Sequence, residues 1–179
     1  MELLEGLVGE IEAAGGVAMA VRYDVEDEAS IIAAYDAIEA RFGIVDVVVA
    51  NAGVNKAGSA LKIDTDALDW IWRVNVRGAY LTAREGARRM PPSRDGSVAG
   101  RIIYIASIAA HTILPGAAAY CASKAGLVML GRSLAKEWAK RGIDVNIVCP
   151  GFMDTDLIQD WVASEGGRAA IAAYPRSRL

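Results

Sequence analysis

Tyr120 and Lys124 stand four residues apart, and Tyr-x-x-x-Lys occurs at none of the chain's other tyrosines. On a helix that spacing sets one side chain above the other on the same face. A free phenol has a pKa of about 10, too high to exchange protons readily at neutral pH. A lysine cation one turn away favours the phenolate and lowers that value, so the pair could work as a general acid or base. A surface pair on an amphipathic helix would carry the same two letters. Here, however, the flanking residues Ala118, Ala119, Cys121, Ala122 and Ser123 are small and uncharged. They suit close packing on a sheet or the approach of a ligand, not a solvated face.

Elements that could position this pair follow from hydrophobic periodicity. Helical spacing runs over 1–14, 27–41, 64–90 and 118–141, with Gly15-Gly16, Phe42-Gly43 and Pro91-Pro92 as stops. Strand-like runs lie at 17–25, 44–50, 101–107 and 143–149, and residues 91–100 read as an exposed loop. The run 44–50 is apolar apart from Asp46, which predicts a central parallel strand covered on both faces. A short helix over 156–164 is expected, and the end is undecided. Strands alternating with helices give an α/β fold with a doubly wound parallel sheet. Ligands of such sheets bind beyond the carboxyl ends of the strands. At that rim stand Asp24, Asn51-Ala52-Gly53, Ser107 and Pro150-Gly151, although strand ends call for turn residues in any case.

Composition excludes several functions. The chain of 179 residues is 54% hydrophobic and 23% charged with net charge −3, which fits a large core and argues against disorder and against a basic nucleic-acid surface. Cys121 and Cys149 lack CxxC spacing and His111 is the sole histidine, which argues against a zinc site or disulfide scaffold and for a reducing cytoplasm. The N-terminus carries glutamates and no early Lys or Arg, the wrong charge for a signal peptide. Residues 102–123 carry no formal charge, yet Ser107, His111, Thr112, Pro115 and Gly116 would leave a membrane helix broken and polar. Remaining residues read more plainly. His111 is a loop residue or faces substrate. Trp70 and Trp72 are helix packing or a substrate wall. Arg73, Arg77, Arg84, Arg88 and Arg89 form a solvated or subunit-facing stripe, and Cys149 is an inert core thiol.

Taken together, Asp24-Val25, Asn51-Ala52-Gly53, Val74-Asn75-Val76, Ser107, Tyr120-Cys121-Ala122-Ser123-Lys124 and Pro150-Gly151 with Thr155 resemble the short-chain dehydrogenase/reductase family. Their order matches as well, including the step of thirteen residues from Ser107 to Tyr120. The resemblance implies a Rossmann-like sheet and hydride transfer between NAD or NADP and a small carbonyl/alcohol substrate. It makes Tyr120 the proton donor or acceptor, Lys124 its partner and a ribose ligand, and Ser107 the hydrogen-bond donor to the substrate oxygen. Asn75 would anchor a water linking Lys124 to solvent. Asp24, Val25, Asn51, Ala52 and Gly53 would flank the adenine side, and Pro150, Gly151 and Thr155 the nicotinamide side. No metal, membrane or nucleic acid is implied, and a homodimer or homotetramer is the expected assembly.

The family's opening strand, Thr-Gly-x-x-x-Gly-x-Gly turn and second strand have no counterpart in this sequence. Its early glycines, Gly6, Gly9, Gly15 and Gly16, belong to a helix and its stop. By the family's strand order 3-2-1-4-5-6-7, the strand at 17–25 would stand apart from the rest, and the strand at 44–50 would expose an apolar edge. Residues 1–179 therefore read as one partial dinucleotide-binding and catalytic domain, shortened at both ends, with Tyr174–Leu179 leading toward an absent final helix. Two functions remain open: an NAD(P)-dependent oxidoreductase, or a shortened non-catalytic domain unable to bind cofactor. An isomerase or lyase using the same tyrosine is a third.

Overall fold

Three parallel strands carry the site, and each is followed by the loop that supplies part of it. The structure is a computed structural model that describes residues 2–153 and 159–173. In chain order it comprises α1 (Glu2–Ala13), α2 (Glu28–Phe42), β1 (Val47–Ala50), α3 (Thr65–Trp72), a π-helical turn (Arg73–Gly78), and α4 (Ala79–Arg89). There follow β2 (Gly100–Ile105), a 3-10 turn (Ile108–Ala110), α5 (Ala118–Trp138), a second 3-10 turn (Ala139–Arg141), β3 (Ile143–Val148), α6 (Gln159–Ala163) and α7 (Glu165–Ala172). The strand order is β1-β2-β3, with Val48 level with Ile102 and Ile102 level with Val145. This is the α/β arrangement expected from the alternation of helices and strands.

Local chemistry sets the boundaries. Asp27 caps α2 by accepting from Ala29 N, and Asp64 caps α3 by accepting from Ala67 N. Proline at 91 and 92 forbids continuation beyond Met90, whose backbone is already extended. The core lies between β2 and the helices around it: Ile102, Tyr104, Leu127, Ile143, Met90 and Ile31 are all buried.

Four expectations are corrected. Residues 17–25 form no strand; the segment has no neighbour to complete a ladder among the described residues, and extended chain without pairing is not sheet. The strand expected over 44–50 is shortened to Val47–Ala50 and covered on one face alone: Val48 and Ala50 are buried, whereas Val47 and Val49 are 45% and 52% exposed. No described helix packs on that outer face, and α1 buries none of its residues. The helix over 64–90 is not uniform, because the π-helical turn interrupts it. The arginine stripe is solvated only in part: Arg73, Arg77 and Arg88 are exposed, whereas Arg84 and Arg89 are largely covered and paired. Arg73 donates to Glu26 (2.7 Å), Arg84 pairs with Glu28, and Arg89 reaches Glu85, Asp36 and Glu39 at 2.7 to 2.8 Å. The expected helix over 156–164 appears as α6 from Gln159; Thr155 and Tyr174–Leu179 lie outside the described residues.

Candidate active site

Asn75 sits in the π-helical turn and is 0% exposed. Its Oδ1 accepts from Val54 N (2.8 Å), while its Nδ2 donates to the Val54 carbonyl (2.9 Å) and to Ser123 Oγ (3.0 Å). Ser123 Oγ in turn donates to the Tyr120 carbonyl (2.8 Å). One amide thus pins the loop after β1 to the first turns of α5, with every polar atom satisfied in a buried place. A π-helical turn inside an α-helix is a recurrent mark of functional sites. Behind it Gly78 lets Val25 come close, since a Cβ there would lie 2.9 Å from the Val25 side chain. Ser123 is the residue that sequence reasoning quoted but gave no role, and its place just before Lys124 was the available signal.

Lys124, 3% exposed, donates to the Ile105 carbonyl at the end of β2 (2.8 Å) and holds its Nζ 5.7 Å from the centre of the Tyr120 ring. Gly53 faces the same cluster: a Cβ at that position would meet Lys124 Nζ at 3.2 Å and Asn75 Oδ1 at 3.6 Å. Beyond β2 the ladder to the β3 side continues, Ala106 N donating to the Val148 carbonyl and Ile108 N to the Pro150 carbonyl, both at 2.8 Å. That pairing sets Ser107 beside Cys149-Pro150. Ser107 Oγ accepts from Ala109 N (3.1 Å) and caps the 3-10 turn.

Electrostatics here differ from the simple pairing of charges. Burial raises Tyr120 above the ordinary phenol value, and a hydrogen bond with Ser107 opposes that rise. Burial also lowers Lys124 below an ordinary lysine, with the Cys149 sulfur working the other way. The expected lowering of Tyr120 by Lys124 is therefore not the dominant effect. Desolvation dominates at Tyr120, and the Lys124 ammonium is engaged with the Ile105 carbonyl.

Asn75, Ser107, Tyr120 and Lys124 thus share one neighbourhood with Gly53. Asp24, Val25 and Ala52 line a second, open recess of about 520 Å³ together with Arg22, Tyr23 and Ser30. Asp24 Oδ1 accepts from Glu26 N (2.8 Å), and Asp24 N donates to Ser30 Oγ (2.9 Å). Asn51 and Gly151 are exposed at the same rim. His111 and Trp72 lie at the surface; the Trp72 ring packs near Gly126 of α5.

The family model for short chain dehydrogenase matches residues 1–166. The chain belongs to the short-chain dehydrogenase family. A 3-oxoacyl-[acyl-carrier-protein] reductase of Salmonella typhimurium is 38% identical over 157 residues, which is 87% of this chain and 62% of the reductase. A 2-(R)-hydroxypropyl-CoM dehydrogenase of Xanthobacter autotrophicus is 39% identical over 142 residues, 78% of this chain and 55% of that enzyme. The chain therefore spans less than two thirds of the length of these relatives. Among solved structures, a gluconate 5-dehydrogenase of Burkholderia cenocepacia in complex with NADP and tartrate superposes with a TM-score of 0.88 at 30% identity, covering 97% of this chain and 67% of that one.

The family uses NAD(P), and the residues present fit one side of it. The space kept open by Gly53 beside Lys124 and Asn75, and the recess next to Asp24 and Ala52, suit a ribose and an adenine. The pyrophosphate side has no matching seat among the described residues.

Proposed function

We propose that this chain carries the catalytic half of an oxidoreductase that moves a hydride between NAD(P) and a carbonyl/alcohol pair on a small molecule. The observation that carries the reading is that Lys124 and Asn75 meet over Gly53, with the Tyr120 ring 5.7 Å from the Lys124 ammonium and Ser107 in hydrogen-bond contact with Tyr120. Tyr120, held protonated by burial, donates a proton to the carbonyl oxygen in the reductive direction. Ser107 steadies that oxygen as negative charge builds on it. Lys124 and Tyr120 hold the ribose, Asn75 keeps the loop of Asn51, Ala52 and Gly53 against α5, and Asp24 and Val25 border the adenine. Pro150, Gly151 and, by family resemblance, Thr155 face the nicotinamide, which supplies or accepts the hydride when bound. A cytoplasmic homodimer or homotetramer is part of the same reading. Exposed Leu68 and Trp72 of α3 and Met129 of α5 support an association through those helices, which light scattering would measure.

The test is a titration with NADH and NADPH read by nicotinamide fluorescence, followed by turnover of a carbonyl compound. Saturable binding below the millimolar range with turnover is expected, and Tyr120→Phe should lose the turnover while retaining the binding. The lack of a pyrophosphate seat among the described residues favours a second reading, a non-catalytic domain of the same family. Absence of saturable binding to either cofactor would establish that second reading for this chain.

A further inference from the structure

Cys149 and His111 meet at the mouth of the site, although they are 38 residues apart in sequence: Cys149 Sγ lies 3.7 Å from His111 Nε2. Their contact follows from the extension of the β2–β3 ladder. That pairing sets the residue after β3 against the short turn Ile108–Ala110, which His111 closes by donating its N–H to the Ile108 carbonyl (2.9 Å). Cys149 is a free thiol, half-buried and packed at the edge of the core. His111 is exposed, the chain's one imidazole, and it can take the thiol proton with its own ring proton on Nδ1. Cys121, on α5, is an equally free and half-buried thiol, and the hydrogen bond of His111 goes to Cys149.

We infer that Cys149 and His111 form a nucleophile–base pair that captures α,β-unsaturated carbonyl compounds at the entrance to the catalytic cleft. His111 removes the thiol proton and the sulfur attacks the β-carbon of the enone. A carbon–sulfur bond forms as the π electrons of the double bond move toward the carbonyl. The proton held by His111 then returns to the α-carbon. Nothing is oxidised or reduced, and the product is a saturated thioether at Cys149. Because Pro150 and Gly151 follow directly, the adduct stands where the nicotinamide side of the site begins.

Methyl vinyl ketone at neutral pH is a direct probe, with rates at each cysteine read by peptide mass. This readout needs no cofactor and no turnover, so it stands or falls separately from the oxidoreductase reading. Cys149 should gain one enone mass about tenfold faster than Cys121, and His111→Ala should remove about that advantage while leaving Cys121 unchanged. His111→Gln, which keeps the bulk of the side chain but not the base, should behave like His111→Ala. Equal rates at the two cysteines, or a Cys149 rate that survives both substitutions, would overturn the inference.

Discussion

A methyl group added at position 53 would land 3.2 Å from the Lys124 ammonium and 3.6 Å from Asn75 Oδ1. Gly53→Ala should therefore weaken binding of the reduced nicotinamide cofactor by about tenfold, or ~1.4 kcal/mol. Its midpoint of thermal unfolding should move little, and an unchanged titration curve would show that the space over Gly53 is not used. Tyr104 makes a different point. It is 0% exposed, its hydroxyl has no partner among the described residues, and burial raises its pKa. A hydroxyl in that position costs desolvation without return, so Tyr104→Phe should hold or raise stability by up to about 1 kcal/mol. The sign of the pH dependence follows from the raised values of Tyr35, Tyr104 and Tyr120. Below the ordinary tyrosine value of about 10, folded and unfolded chains both hold these protons and nothing changes. Above it the unfolded chain releases protons that the folded chain retains, so stability falls with rising pH. Lys124, lowered by burial, works in reverse, since its cost is relieved as pH rises toward the ordinary lysine value. Denaturant titrations at pH 9 to 11 should show a net loss with a shallower slope in Tyr104→Phe.

Among the elements, α2 and α4 are held together by a seam of ion pairs. Arg89 joins Glu85 of its own helix to Asp36 and Glu39 of α2, with its guanidinium also 5.5 Å from the Tyr35 ring. Arg89→Ala would strand the largely covered carboxylates of Glu85 and Glu39 and should cost about 2 kcal/mol in chemical denaturation. Arg88, 65% exposed and 3.7 Å from Glu85, should cost less than about 0.5 kcal/mol on the same change. A reversed order would mean that the seam does not hold the helices. Helix ends were legible in the sequence because caps and stops are local: Asp27, Asp64 and Pro91 act within a turn of themselves. The seam was not legible, because Arg73 and Arg84 find partners 47 and 56 residues away. The π-helical turn left no trace either, since one extra residue per turn changes hydrogen bonding and not composition. Residues 17–25 looked like a strand for the same reason in reverse: valines report a preference for sheet, whereas a ladder needs a neighbour. The polar cluster was the most readable part. Tyr120 and Lys124 share a helix face by spacing alone, but the weight of burial against charge at Tyr120 required the surrounding atoms.

The molecule as a whole is covered unevenly. β2 lies between two partners with Ile102 and Tyr104 at 0% exposure, β3 packs against α5, and β1 closes the sheet with Val47 and Val49 turned outward. Stability should therefore be stepped across the sheet and not shared equally. Amide hydrogen exchange would read that step directly. The amides of β2 should exchange only with global unfolding, whereas those N–H groups of β1 that point away from β2 have no strand among the described residues to protect them. A uniform exchange rate across all three strands would contradict the uneven covering. Position in the sheet thus becomes a clock: the time at which each strand takes up deuterium records how many neighbours it has.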